Sequence, residues 1–462
     1  MPLLSPLCRR ASAGVMRLVA PLVAGATLLA APTAHAFCGF YVGRADAGLF
    51  NRASQVIMAR DGDRTVISMA NDYSGPLDEF ALVVPVPTVL KREQVHVGDP
   101  AIFTRVDGWS APRLTEYHDD NPCAQRELER LKDRSESSMK AAPAAPAPTA
   151  AALGVKVEEQ FSVGEYDIVI LSATESDGLE TWLTGNGYRL PAGASKALAP
   201  YIRQGLKFFV AKVNLKNQAR SGSTKLRPLQ FAFESRRFML PLRLGMLNAQ
   251  GPQDLVVYML TRQGRVEASN YRTVKLPANM DLPVGIRGDF GRFYQALFDR
   301  QWAREGGRVV FTEHFWNMGW CDPCAADPLT PDELRSAGVF WINPPGNTGV
   351  AGGLGRNVGQ QVMLTRLHLR YTRDTFPEDL AFIETADQQN FQTRYVLRHP
   401  YTGVMQCSEA EAYRRQVKDR QQKEALALHD LTGWPLDKSR QLAGLRAAGS
   451  SGSDRWWSTL WE

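Results

Sequence analysis

The sequence predicts an α+β protein, with mostly antiparallel β domains, flanking helices and a helical C-terminal segment. Three observations predict it. Residues 55–87 (QVIMARDGDRTVISMANDYSGPLDEFALVVPVP) form three short apolar runs, broken at Asp61-Gly62 and at Ser74-Gly75-Pro76. An Asp-Gly step between β-rich runs signals a hairpin, because glycine takes the positive φ of the turn. Phe290, Phe293, Tyr294, Leu297 and Phe298 recur at helical spacing within 288–305, which marks an amphipathic helix. Ser408-Glu409-Ala410-Glu411 is a capping box that opens a helix to about residue 428.

The N-terminus is the first element in order. Arg9, Arg10 and Arg17 precede an apolar stretch at 18–31 that is interrupted by Pro21, and Ala34-His35-Ala36 offers a small-x-small cleavage site. The pattern is that of a secretory signal peptide cut after Ala36. The apolar run is short for a membrane span. Phe37, not a small residue, stands before Cys38, which excludes a lipoprotein signal. Removal of 1–36 leaves 462 − 36 = 426 residues; basic residues fall to 54 − 3 = 51 against 48 acids, a net charge of +3. With no long Lys/Arg run, nucleic acid is an unsuitable partner.

The mature chain opens toward the 55–87 hairpin. Its third run ends in Pro85 and Pro87; proline donates no ladder hydrogen bond, so this run should lie at a sheet edge or leave the sheet there. Strands are expected at 94–97 and 102–106, a loop at 110–123, and a charged helix from Asn121-Pro122. Residues 135–157 contain AAPAAPAPTAAA and read as a disordered linker. Beyond it come strands at 167–172 and 207–215 around helices at 178–184 and 194–203. A hairpin is expected at 254–261 and 265–274 around Gln263-Gly264, then a strand at 309–315, a helix capped by Thr330 with Glu333, a strand at 361–370, and helices to about 445. The expected organisation is therefore 1–36 signal peptide, 37–134 β-rich domain, 135–157 linker, 158–405 α+β region, 406–448 helical segment and 449–462 tail. That tail carries Trp456, Trp457 and Trp461 in a polar frame, which suits docking on the protein's own surface, or contact with other envelope proteins or a membrane interface.

The most pointed chemistry lies in 309–324, VVFTEHFWNMGWCDPC. A strand followed by WCxPC resembles the thioredoxin active site, where Cys321 would attack and Cys324 resolve. Pro328 and Pro331, however, interrupt the helix that should follow directly. In an oxidising compartment Cys38, Cys123, Cys321, Cys324 and Cys407 are candidates for structural disulfides. Cys321 is expected to pair with Cys324, or one of the two with Cys407 or Cys38. A lone CxxC supplies two metal ligands where zinc needs three or four, and neither His314 nor Cys407 brings a second metal motif. No metal or cofactor is expected. His118-Asp119-Asp120 reads as a solvated loop, and His96, His368 and His399 as structural residues in or beside strands. There is no GxSxG elbow, HExxH or Walker A motif, so a hydrolase remains an alternative without a located site.

Several stretches, in order, resemble one family: FCGFYV, RTVISMANDYSGPLDEFALVVPVP, GEYDIVILSATESDGLETWLTGNGY, FMLPLRLG, NMGWCDPC, LTRLHLRY and FQTRYVLRHPYTG. They resemble the bacterial family catalogued as domain of unknown function 2330. The resemblance covers nearly all of the mature chain and implies an exported protein of Gram-negative-type bacteria. It supplies no established activity or catalytic residues. Some members end in a hydrophobic anchor, whereas this chain ends in its Trp-rich polar tail. The expected function is non-enzymatic: an exported, periplasmic or secreted protein that binds or scaffolds envelope components. The thiol–disulfide oxidoreductase and the hydrolase are the alternatives.

Overall fold

The computed structural model describes residues 40–43, 50–51, 54–70, 73–74, 80–123, 157–173, 176–186, 193–214, 216–217, 226–247, 249, 251–319, 327–342 and 361–445. The first part of the chain forms β1 (Phe40–Gly43), β2 (Phe50–Asn51), β3 (Ser54–Asp61), β4 (Arg64–Ala70), β5 (Tyr73–Ser74), β6 (Phe80–Val86), β7 (Val95–Val97), α1 (Ala101–Ser110) and β8 (Arg113–His118). Then come β9 (Val157–Val163), β10 (Tyr166–Ser172), α2 (Ser176–Gly185), α3 (Ala194–Arg203), β11 (Lys207–Val213), β12 (Leu229–Glu234), β13 (Met239–Leu240), β14 (Gln253–Thr261), β15 (Val266–Ala268), β16 (Arg272–Lys275) and β17 (Met280–Leu282). The last part holds α4 (Phe290–Arg304), β18 (Val309–Asn317), α5 (Pro331–Ser336), β19 (Met363–Tyr371), β20 (Leu380–Glu384), β21 (Phe391–Gln392), β22 (Arg394–His399), α6 (Glu409–Thr432) and α7 (Leu436–Leu442).

The class is α+β, and most ladders are antiparallel. Parallel ladders join β14 to β3, β16 to β18, β17 to β22 and β22 to β8. Two large sheets dominate. One has five strands in the order β1-β6-β11-β10-β9; the other has nine, in the order β16-β18-β19-β14-β3-β4-β12-β7 with β21 on β18. The β3–β4 hairpin forms around Asp61-Gly62, with Gly62 at φ +60°.

Side-chain alternation stacks the layers. Val56 and Met58 of β3 join Leu255, Val257 and Leu367 in one core cluster with Leu82, Val84, Ile168, Ile170 and Phe209 of the five-stranded sheet. The two sheets therefore pack face to face. Ile57 and Ala59 point the other way, into a cluster with Ile102, Val106 and Trp109 of α1 and Leu334 of α5. Leu179, Leu198 and Tyr201 of α2 and α3 cover the outer face of the five-stranded sheet at Ala81, Val83, Phe208 and Val210. Phe298 of α4 packs on Val309 and Phe311 of β18. The result is helix, sheet, sheet, helix. Strands buried on both faces read as continuous apolar runs, which is why VIMA and LVV lack a strict period of two.

The structure corrects several expectations. Strands from both sides of the 135–157 stretch share both large sheets, since β6 pairs β11 and β12 pairs β4. The β-rich segment before that stretch is thus not a sheet of its own; the described residues belong to one compact unit. Residues 102–106 are helical in α1, not a strand, because Ile102, Phe103, Val106 and Trp109 bury one helical face on the nine-stranded sheet. The expected loop at 110–123 contains β8, which gains its partner only from β22. No hairpin forms at Gln263-Gly264. There β14 pairs with β3 and β19, while β15 turns to β20. Gly264 is held by Glu384 Oε1, which accepts its N–H at 3.1 Å, and a Cβ at that position would lie 2.1 Å from the Thr385 carbonyl oxygen.

The run ending in Pro85 is not the expected edge strand: β6 lies between β1, which pairs with Phe80–Val83, and β11, whose Phe208 stands opposite Pro85. Thr330 and Glu333 form the expected capping box of α5. Ser408 does not cap α6; its hydroxyl donates to Glu409 Oε2 at 2.9 Å. The expected helix beyond Cys123, the linker, the signal peptide and the Trp tail lie outside the described residues. No helix among the described residues is long and apolar enough to cross a membrane.

Candidate functional site

The outer face of the nine-stranded sheet carries a row of charged groups between α1 and α4. It begins with the alternation in β19, TRLHLRY. Leu367 and Leu369 turn into the core between the sheets, so Arg366, His368 and Arg370 turn outward, following the two-residue period of a strand. Opposite them β18 breaks register between Thr312 and His314, leaving Glu313 as an extra residue. Such a bulge re-aims side chains. Glu313 is fully buried. Its Oε2 accepts from Arg366 Nε at 2.5 Å, its Oε1 meets His368 Nδ1 at 2.6 Å, and the Tyr294 hydroxyl of α4 donates to the same Oε1.

The row extends both ways. Arg366 Nη1 donates to Asp107 Oδ1 of α1 at 2.5 Å, and Tyr258 donates to the same oxygen at 2.7 Å. His368 Nε2 lies 4.0 Å from Asp254 Oδ1, and Arg370 holds Asp254 through two bonds of 2.7 and 3.0 Å. Arg370 also donates to Asp299 of α4 at 2.5 Å. Acid and base thus alternate along Asp107, Arg366, Glu313, His368, Asp254, Arg370 and Asp299, tying α1 and α4 to the sheet between them. The His368 ring stacks on Phe298 with centroids 4.0 Å apart.

The electrostatics follow from burial and pairing. Burial pushes the Glu313 carboxyl upward, but His368 and Arg366 together outweigh it and hold it below the ordinary carboxylate value. Burial works against the Arg366 charge, while Tyr258, Glu313 and Asp107 hold its pKa above the usual guanidinium value. Burial is the main reason that Tyr258 ionises less readily than a free tyrosine. Both charges of the Glu313–Arg366 pair therefore persist in the folded interior. Chemically, a carboxylate bonded to histidine Nδ1 is the orienting half of a general-base device. Here the far nitrogen faces Asp254, and the groups around His368 are the Glu313 and Asp254 carboxylates and the Tyr294 hydroxyl, which lies 3.1 Å from Nδ1. The serine hydroxyl beside the row, Ser110 Oγ, donates to the Val106 carbonyl and lies 3.5 Å from Arg366 Nη1.

His314, next to Glu313, occupies a different environment. It is 1 % exposed, and neither ring nitrogen has a hydrogen-bond partner. The Trp109 ring meets it edge-on at 4.8 Å, with an indole N–H that is also unpartnered. Gln392 of β21 lies directly across the ladder. Burial, then the Arg113 and Arg366 charges, hold His314 neutral far below the usual histidine value of 6.5. The unfolded chain binds a proton there near pH 6.5 and the folded chain does not. This contribution to stability is therefore complete above pH 6.5 and is lost as pH falls from there toward the depressed folded value. Urea midpoints at pH 7.5 and 5.5 should show wild type losing more stability on acidification than His314→Leu; equal losses would contradict the assignment.

Of the residues singled out in the sequence, Cys123 and Cys407 are joined, with Cα atoms 5.6 Å apart. This corrects the expectation that Cys407 serves Cys321 or Cys324. Cys38, Cys321, Cys324, Trp456, Trp457 and Trp461 lie outside the described residues. The chain on either side of Cys321 and Cys324 is anchored: Met318 N–H bonds the Val362 carbonyl, and Arg105 of α1 donates to the Asp327 and Pro328 carbonyls. His118 and Asp120 are exposed, as a solvated cluster implies, whereas Asp119 is half-buried. The His118 ring stacks on His399 at 4.5 Å, and Asp119 accepts from Tyr413 and Arg420. His368 is a member of the charged row, not an isolated strand residue. Arg366 and Glu313 were missed by sequence reasoning, although the R-L-H-L-R alternation and a glutamate inside an otherwise apolar strand were visible signals. Among the described residues no group of three or more His, Cys, Asp or Glu side chains is placed to hold a metal ion.

Fold and site together define an α+β protein of stacked, mostly antiparallel sheets with an internally paired charge row under two helices. The chain belongs to a family described as an uncharacterized protein conserved in bacteria (DUF2330), which it matches over residues 32–383. No curated protein and no solved structure matches it.

Proposed function

We propose that this chain is an exported protein of the bacterial cell envelope that binds or scaffolds other envelope components and performs no catalysis. The observation that carries the reading is the Cys123–Cys407 bond, which joins residues 284 apart. Such bonds persist in oxidising compartments, and the signal-like segment ending at Ala36 supports the same route. The charged row supports a non-catalytic role, since each of its members is engaged within the protein. Trp456, Trp457 and Trp461 supply contact groups for a partner or a membrane interface. The test is expression of the full precursor in a Gram-negative host, followed by fractionation, thiol alkylation and mass mapping. The expected product is extracytoplasmic, begins at Phe37 and carries an alkylation-resistant Cys123–Cys407 peptide. A cytoplasmic, uncleaved product would overturn it. Envelope co-sedimentation should be lost when residues 449–462 are removed.

One observation favours a second reading, thiol–disulfide exchange. Because Cys407 is engaged by Cys123, Cys321 and Cys324 are left to pair with each other or with Cys38. A redox titration separates the readings. Opening of a Cys321–Cys324 bond at roughly −120 to −270 mV would suit an oxidoreductase, and resistance below about −300 mV a structural bond.

A further inference from the structure

Helix α6 docks on α4, α7 and β17 through Leu428 and Leu431, which join Leu282, Phe293 and Leu297 in one cluster. One carboxylate lies inside this interface. Glu424 is 3 % exposed, and its Oε1 has no hydrogen-bond partner. The nearest cation, Arg420 Nε, stands 3.6 Å away.

The surrounding charges explain why Glu424 is poorly served. Arg420 is committed to Asp119, donating to its two oxygens at 3.1 and 2.7 Å. Arg398 of β22 is committed to Asp281 of β17 at 3.2 Å. Two guanidiniums thus face three carboxylates, and Glu424 is the surplus one. Among the described residues, the groups on the other faces are engaged elsewhere. From α4, Arg300 and Arg304 bond the Asp430 carbonyl further along α6. On α7, Lys438 lies over the Trp434 ring. The remaining titratable groups at the ends of β8 and β22 are His118 and His399, stacked on each other, with His399 bonded to Glu116.

We propose that Glu424 is a proton-operated latch: α6 docks tightly with Glu424 protonated and loosens when Glu424 ionises. The arrangement favours the neutral acid, because ionisation would bury a charge that accepts no hydrogen bond at Oε1 and whose nearest cation, 3.6 Å away, is already committed to Asp119. Burial, in the main, raises the Glu424 carboxyl to about 7, with Asp281 and Asp119 adding to it and Arg420 and Arg398 opposing it. A raised folded value means that the contribution to docking is complete below the unfolded carboxylate range and is lost as pH rises through about 7. The Cys123–Cys407 bond tethers the chain just before α6, so loosening exposes Leu428 and Leu431 without releasing the helix from the body.

The test is hydrogen exchange of the full mature protein from pH 5.5 to 8.5, corrected for intrinsic rates and read in peptides from 409–432. Wild-type protection should fall by roughly tenfold or more across this range, while Glu424→Gln stays protected and flat. Flat wild-type protection would overturn the proposal, as would the wild-type profile persisting in Glu424→Gln, which would move the titration to His118 or His399. Should that variant fail to fold, a carbon-detected NMR titration of the wild-type Glu424 carboxyl decides the matter: ionisation complete by pH 6 overturns it.

Discussion

Glu313→Ala should cost about 3–5 kcal/mol of folding stability, the usual penalty for removing one partner of a buried ion pair. Arg366 is 7 % exposed. Without Glu313 it keeps Asp107 but loses its Nε acceptor, and the Tyr294 hydroxyl and His368 Nδ1 lose theirs. The cost comes mainly from stranded charge rather than from lost attraction, so a double variant should behave differently. Glu313→Met combined with Arg366→Met removes both charges and should recover part of the loss. Urea midpoints for the two single variants and the double variant test this. A loss below about 1 kcal/mol for Glu313→Ala would show that the row is hydrated and contributes little.

Breaking the Cys123–Cys407 bond should cost about 2–5 kcal/mol. The bond closes a very long loop in the unfolded chain, separation 284, and loop-closure entropy rises with length, although slowly. Cys123→Ser, Cys407→Ser and the double variant should be equally destabilised, because each removes the same covalent constraint. A single variant that is much worse than the double would indicate mispairing of the freed thiol with Cys38, Cys321 or Cys324 instead. The Asp119–Arg420 and Asp119–Tyr413 contacts lie beside this bond, so the fraying should concentrate in α6.

Elements whose signals are local were legible in the sequence. The Asp61-Gly62 turn, the aromatic spacing of α4, the boundaries of α3 and the Thr330–Glu333 box all rest on interactions within a few residues. The failures share a cause as well. Residues 102–106 have the composition of a strand, yet they become helical because one helical face covers the sheet. Residues 113–118 carry little strand signal, and only β22, nearly three hundred residues later, makes them a strand. Gln263-Gly264 looks like a hairpin turn, but β14 lies between β3 and β19 and so is not paired with β15.

The charged row shows the same division. Period-two patterning determined that Arg366, His368 and Arg370 share one face of a strand, and that the leucines between them face the other. The sequence alone also determined the α+β class and the family. Tertiary structure decided what the charged residues meet. Glu313 comes from a bulge some fifty residues earlier, Asp107 from α1 and Asp254 from β14, and no local spacing encodes their convergence. Tertiary structure likewise chose Cys123 as the partner of Cys407, because disulfide pairing follows the approach of Cα atoms in space and the sequence carries no such distance.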